Sequence, residues 1–389
     1  MIMPHTPNHR LSGNAAIVGV GRTSMGKLPG STALGLGLEA LNAALADAGI
    51  DKSEIDGILT HPGTTSREGA NHYLRLSEAA GIDPRYAGSK SMGGATAGAL
   101  VQEAVMAIDA GLATTVACVF GDAALTGGQR FNSPNGDPGL NWGIWGMFGP
   151  QANSALGARR HMTLYGTTSE QLGAVSVTFR EHAQLNTDAV MYGKPITLED
   201  HQSSRMVVEP FHLLDCCLIS DGGVAIIVTS AERAKDLAKP AVHIAGMGQG
   251  YTARKSEQLD WWYLPHQRAV LDEAWAMSGL GPDDIDVAEL YDNFTFSVLL
   301  WLEHGGFVAP GESGAFVAEG NLRLGSRLPT NTHGGSLSDA YMQGWTHIVE
   351  GVRQIRGEAG ERQVAGAETC LTTGRGMALN TANALVLTK

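Results

Sequence analysis

Apolar and polar positions along the chain fall into two repeating kinds of run. Short unbroken apolar runs mark buried strands at 15–21, 56–60, 114–120, 224–229, 241–246, 287–292, 364–369 and 384–388. Longer stretches with leucine and alanine at helical spacing predict helices at 32–48, 99–110, 268–277, 294–304 and 345–355. Ser31 is a candidate N-cap for the first of these, and Gly49 lies just past its end. The helix at 294–304 reads as amphipathic, and Thr372-Thr373-Gly374-Arg375-Gly376 reads as a turn. The strand–helix–strand rhythm occurs twice, which predicts an α/β fold with an internal duplication. Pro240 is the natural boundary, giving halves 1–240 and 241–389. The stretch from about 122 to 209 breaks the rhythm and reads as an inserted loop lobe with helical pieces at 161–166 and 174–182. Its aromatic group, Trp142, Trp145 and Phe148 with Met147, suits a pocket wall for a bulky apolar ligand. The run Trp261-Trp262-Tyr263 suits either packing or a partner surface.

Composition narrows the function. A formal charge of -12 argues against non-specific nucleic-acid binding, which needs a basic footprint. No apolar run reaches membrane-spanning length, and residues 1–14 lack an apolar signal core. The cysteines Cys118, Cys216, Cys217 and Cys370 have no metal-type spacing, so no metal site is expected in this chain and a reducing, cytoplasmic setting is. Gly19-x-Gly21 has no third glycine at dinucleotide spacing and carries little weight.

Candidate chemistry concentrates at Asn331-Thr332-His333-Gly334-Gly335-Ser336-Leu337-Ser338-Asp339-Ala340-Tyr341-Met342-Gln343-Gly344, just before the helix at 345–355. Paired glycines let backbone approach a ligand closely, and a helix start offers unpaired N–H groups. On the glycines alone, a tight loop capping a helix is the simpler account.

This stretch resembles the C-terminal active-site loop of the thiolase superfamily, which runs Asn-x-x-Gly-Gly, five residues, then His-Pro-x-Gly. Asn331, Gly334, Gly335 and Gly344 keep their places, Tyr341 stands for the histidine and Met342 for the proline. Three further loops match. Gly93-Gly94-Ala95-Thr96 precedes the central helix, with Gly94 in the place of the nucleophilic cysteine; Ser89 and Ser91 lie upstream of that place. Glu289-Leu290-Tyr291-Asp292-Asn293-Phe294 aligns with the Asn-Glu-Ala-Phe stretch, with Tyr291 at the asparagine. Cys370-Leu371-Thr372 keeps the cysteine of Cys-x-Gly and loses its glycine. Asp215-Cys216-Cys217-Leu218-Ile219-Ser220-Asp221-Gly222-Gly223 is most similar to the sterol-carrier-type branch, and its cysteines read as structural.

The resemblance implies a duplicated five-layered thiolase fold (αβαβα) with an inserted loop lobe. Loss of the thiol removes the covalent step of thiolysis. Two phenols near a thioester suit retro-aldol cleavage instead: one donates to a developing enolate, the other takes the proton of a β-hydroxyl. This set resembles the thiolase-like steroid side-chain aldolases. It implies Tyr291 and Tyr341 as catalytic residues and Gly94, His333, Gly335, Cys370 and Thr372 as substrate-binding ones. It also implies a CoA thioester substrate, no cofactor in this chain, a homodimer core joined near 114–120, and a small zinc-ribbon/OB-fold partner that would carry any zinc. Two other readings stay open: a Claisen-type acyltransferase using Cys370, and a non-catalytic acyl-CoA or lipid-binding subunit. His161 and His212 fall in no matched motif.

Overall fold

The computed structural model describes residues 9–129, 149–253, 264–376 and 380–389. The aromatic positions at 142–148 and 261–263 lie outside the described residues. The first half runs β1 (Ala15–Arg22), α1 (Ala33–Ala48), β2 (Gly57–Pro62), α2 (His72–Ala80), β3 (Tyr86–Ser89), α3 (Thr96–Asp109) and β4 (Thr115–Ala123). Helices α4 (Gly149–Tyr165), α5 (Ser169–Ala183) and α6 (Leu198–Ser203), then the ribbon β5 (Met206–Val208) and β6 (Phe211–His212), precede β7 (Asp221–Ser230) and the short α7 (Ala231–Ala234). The second half runs β8 (Val242–Tyr251), α8 (Pro265–Ser278), β9 (Val287–Glu289), α9 (Thr295–His304), α10 (Ser313–Ala318), α11 (Gly335–Ser338), α12 (Trp345–Arg356), β10 (Thr369–Gly376) and β11 (Thr381–Thr388).

Nine strands line up in the order β3-β2-β4-β7-β1-β8-β11-β10-β9. β1 and β8 pair only at Ala16–His243 and Ile17–Val242, so this sheet is two half-sheets joined at a short seam. Pairing repeats across the seam. β1 and β8 are each antiparallel to the last strand of their half, β7 or β11. That last strand is antiparallel to β4 or β10, which is parallel to β2 or β9. The counterpart of β3 is reduced to one bridge, Ala288 to Thr330, immediately before Asn331.

Period-two alternation distributes side chains between layers. Ala225 and Ile227 of β7 pack under α1 with Leu41 and Leu45, whereas Ile226 and Val228 face Leu100 and Val101 of α3. Leu385 and Leu387 of β11 share that inner layer with Val349 and Val352 of α12, while Val386 turns outward to Val270 and Leu271 of α8. The result is five layers, with α3 and α12 between two half-sheets and α1 and α8 outside them. Gly121 lets α1 lie tight on β4, because a Cβ there would sit 2.1 Å from the Ala33 carbonyl oxygen. Among the described residues no helix is long and apolar enough to cross a membrane.

Several expectations need correction. The run at 114–120 is β4, paired on both sides by β2 and β7; the sheet edges are β3 and β9. An unpaired edge at 114–120 therefore gives no ground for a dimer interface. The cap of α1 is Thr32, whose side chain accepts from the Gly35 N–H, not Ser31. α9 is buried along its whole length rather than amphipathic, because α4, α5, α8 and α10 surround it. The described part of the lobe is mainly helical. The strand expected at 364–369 is β10 at Thr369–Gly376, and the supposed turn lies within it. Its glycines serve close approach: a Cβ at Gly374 would stand 2.5 Å from the Gly94 oxygen.

Gly121→Ala must push α1 off the sheet. We expect a loss of about 1–3 kcal/mol or more, read as a lower midpoint in denaturant unfolding. Gly49→Ala, in a left-handed C-cap with open space around it, is expected to lose only about 1 kcal/mol.

Candidate active site

The C-terminal ends of the second half-sheet and the start of α3 converge on two tyrosines. Tyr291 follows β9, and its backbone N–H donates to Thr373 Oγ1 at 3.0 Å. The preceding residue is clamped on both sides: Leu290 N–H donates to Asn331 Oδ1 at 2.7 Å, and Asn331 Nδ2 donates to the Leu290 oxygen at 2.8 Å. Tyr341 N–H donates to Ser220 Oγ at 3.3 Å, tying its loop to the start of β7. The two hydroxyls stand 3.1 Å apart.

Tyr341 lies in the wall of a cavity of about 240 Å³. Cys217, Leu218, Ile219 and Phe294 make the wall largely apolar, and Arg205 and Gln151 add polar groups. Tyr291 is 1% exposed. Burial pushes both phenols above their usual value, and each raises or lowers the other through the shared contact. Either hydroxyl can be the donor in that contact, so a phenol that gives up its proton accepts from the other. Arg375 is the cation that favours a Tyr291 phenolate. Its guanidinium donates to Ser297 Oγ at 2.6 Å and Asn293 Oδ1 at 3.3 Å, and burial lowers its pKa to about 10.

A buried charge network holds the 331–344 loop beneath the phenols. Arg22 forks onto both oxygens of Asp339 at 3.0 Å. His333 Nδ1 lies 3.0 Å from Glu289, and its ring meets His347 edge-on at 5.0 Å. Burial opposes charge on His333, but Glu289, Asp339 and Glu350 raise its pKa. Asp292 lies 2.9 Å from His347 Nε2 and accepts the Ser336 and Leu337 N–H groups at the start of α11. Burial opposes its charge too, yet these donors hold its carboxyl below the usual range.

The sequence-predicted residues separate into two groups. Gly94 touches the Tyr291 ring. His333 and Gly335 sit inside the charge network; a Cβ on Gly335 would stand 2.1 Å from the Asp292 carboxylate. Cys370 and Thr372 face Gly351 of α12 in the inner layer, and burial pushes the Cys370 thiol far up. These four are in the packed interior, not in the wall of the cavity. Cys217, Ile219, Phe294 and Arg375 were not singled out. The 215–223 run held a usable signal, because it leads directly into β7 beside the matched loops. Among the described residues no group of three His, Cys, Asp or Glu side chains is placed to hold a metal ion.

The Thiolase C-terminal domain-like family matches residues 248–389. The chain is 42% identical over 379 residues to 17-hydroxy-3-oxo-4-pregnene-20-carboxyl-CoA lyase of Mycobacterium tuberculosis, covering 93% of this chain and 96% of that one. It is 40% identical over 383 residues to the steroid side-chain-cleaving aldolase of Thermomonospora curvata, covering 94% and 96%. The solved Ltp2-ChsH2(DUF35) aldolase superposes with a TM-score of 0.87 at 40% identity, over 97% of this chain and 98% of that one.

Arg22→Met leaves the Asp339 carboxylate buried without its main partner. Breaking a buried pair in this way is expected to destabilise by about 3–5 kcal/mol, measured by denaturant unfolding. The Arg22→Met/Asp339→Leu double variant should recover much of that loss.

Proposed function

The chain belongs to the thiolase superfamily, in the branch of the steroid side-chain-cleaving aldolases, and from that premise we propose how its two phenols carry out the cleavage. It is an aldolase, a carbon–carbon lyase that cleaves a β-hydroxyacyl-CoA with a steroid-type side chain into a ketone or aldehyde and a shorter acyl-CoA. The observation that carries the mechanism is the 3.1 Å contact between Tyr291 and Tyr341 at the wall of the cavity.

Tyr341 faces the cavity and is the base. It takes the proton of the β-hydroxyl; the Cα–Cβ bond breaks, the carbonyl product forms, and the bonding pair becomes the enolate of the shorter thioester. Both phenols start and end protonated: as Tyr341 Oη accepts the β-hydroxyl proton it passes its own proton across the 3.1 Å contact to Tyr291, whose proton goes to the enolate carbon. The exchange balances with no outside acid or base. The placement of the pair supports these roles, since Tyr341 stands in the cavity wall and the buried Tyr291 stands behind it. The apolar wall of Leu218, Ile219 and Phe294 suits a large hydrophobic side chain.

The acyltransferase reading fares worse. A nucleophilic thiol must ionise, and Cys370 is fully buried with its pKa raised further by Glu289 and Glu350. By this reading no cofactor is needed from this chain, the four free cysteines suit a cytoplasmic setting, and zinc belongs to a partner. The solved relative is an Ltp2-ChsH2(DUF35) aldolase, which suits a second kind of chain beside this one. For this chain we propose a homodimer core with two small zinc-ribbon/OB-fold partners, and a monomer in sedimentation with and without such a partner would contradict it.

Tyr291→Phe and Tyr341→Phe keep the ring and remove only the hydroxyl. Each is expected to lower turnover on a competent β-hydroxyacyl-CoA by on the order of a hundredfold or more, with folding intact, in a steady-state assay of ketone release. Near-wild-type turnover in both would sink the mechanism. Incubation with an acyl-CoA should leave Cys370 unacylated by mass spectrometry; a thioester there would favour the acyltransferase instead.

A further inference from the structure

The Tyr291 ring occupies the space that a side chain at position 94 would need. A Cβ on Gly94 would stand 2.2 Å from Tyr291 Cζ, 2.2 Å from its hydroxyl oxygen and 2.4 Å from Cε2. No carbon tolerates such contacts. The backbone does not explain the glycine. Gly93 has φ 58, but Gly94 lies outside the left-handed region, so any L-residue fits its conformation. The three nearest atoms that a Cβ there would meet all belong to the tyrosine side chain.

Neither party can retreat. The turn carrying Gly94 is tied at its base, where Thr96 Oγ1 accepts the Met92 N–H at 2.8 Å and donates to the Gly93 oxygen at 2.6 Å. Behind it stands β10, close enough that a Cβ on Gly376 would lie 1.9 Å from the Met92 oxygen. On the other side, Tyr291 is pinned through its own N–H by Thr373 and through Leu290 by the Asn331 clamp. Moving the ring means breaking buried hydrogen bonds or losing the 3.1 Å contact to Tyr341.

We propose that Gly94 is a positioning residue for the Tyr291 phenol, and that a side chain at 94 and a ring at 291 exclude one another. Position 94 stands at the start of α3, a 14-residue helix whose dipole would favour a thiolate. A nucleophilic thiol there and the phenol pair cannot coexist, so the site is committed to non-covalent cleavage by shape as well as by residue type. The functional half of this rests on the aldolase reading; the steric half does not.

A double-mutant cycle tests it. In the wild-type background, Gly94→Ala and Gly94→Cys should lower the Tm by several degrees and reduce kcat by on the order of tenfold or more, with KM little changed. In a Tyr291→Asn background, which removes the ring, the same substitutions should cost no Tm. In a Tyr341→Phe background, which keeps the ring at 291, they should cost as much as in wild type. If the Gly94 variants do not fold alone, recovery of soluble protein on adding Tyr291→Asn reads the same coupling. The thiol introduced by Gly94→Cys should react with iodoacetamide in the Tyr291→Asn background at neutral pH.

Equal Tm losses with and without the ring would overturn the steric claim. Full turnover in Gly94→Ala would overturn the positioning claim. Full turnover in Tyr291→Phe, with coupling intact, would overturn the aldolase reading and the functional half while leaving the steric exclusion standing.

Discussion

The site depends on one side chain that bonds only to backbone. Asn331 adopts φ 51, one of two positive values among the described non-glycine residues, and its amide closes a two-point clamp on Leu290. Leu290 precedes Tyr291, and Asn331 opens the loop that ends near Tyr341. The clamp therefore sets the distance between two loops that the chain delivers from separate elements. A side chain without both a donor and an acceptor in fork geometry leaves one buried backbone group unpaired, at about 1–3 kcal/mol. The strained backbone at 331 is held by these bonds and by the His182 ring facing the Asn331 oxygen at 3.2 Å.

Beneath the clamp, the fold buries ionic groups that a merely stable core would avoid. Asp292, Glu289, Asp339 and Glu350 are all buried, each with a cationic partner or donor: His347, His333, Arg22 and Arg362. Such pairs are weak contributors to stability because desolvation offsets their attraction. Their value here is geometric. Arg22 of β1 holds Asp339, Glu289 of β9 meets His333 and accepts from Thr332, and Glu350 of α12 also accepts from Thr332, so three elements fix the position of the loop. The phenols rest on a floor that does not reorganise when charge develops above it.

How much of this was legible in the sequence follows from the range of each signal. The strand–helix rhythm and its repetition are local and survive into the half-sheets. The meeting of Tyr291 and Tyr341 was readable because each occupies a fixed place in a short motif. The face presented by Cys370 and Thr372 was not, since it depends on strand phase and β10 was set several residues too early. Thr373, the residue after Thr372, points to the other side and holds Tyr291. The glycines of 372–376 suggested a turn, because sequence alone cannot tell a glycine needed for a bend from one needed for contact with the 92–94 backbone. His333 is expected from its motif to bind substrate; only the fold reveals the Glu289 carboxylate that makes it part of the floor.

The departures from the thiolase pattern form one physical set. Removing the side chain at 94 opens a volume at the start of α3, and the ring at 291 fills it. Filling it brings a hydroxyl within 3.1 Å of the second phenol, at the place that the thiolase loop gives to histidine. Either tyrosine alone would be a buried hydroxyl with an elevated pKa and little use as a base. Together, each hydroxyl gives the other a hydrogen-bond partner through which a proton can pass, with Tyr291 buried and Tyr341 beside the cavity. Arg375 adds a cation on the Tyr291 side. The layers and loops that in the thiolase pattern present a cysteine at the start of α3 here present a phenol pair instead, through one exchange of volume between positions 94 and 291.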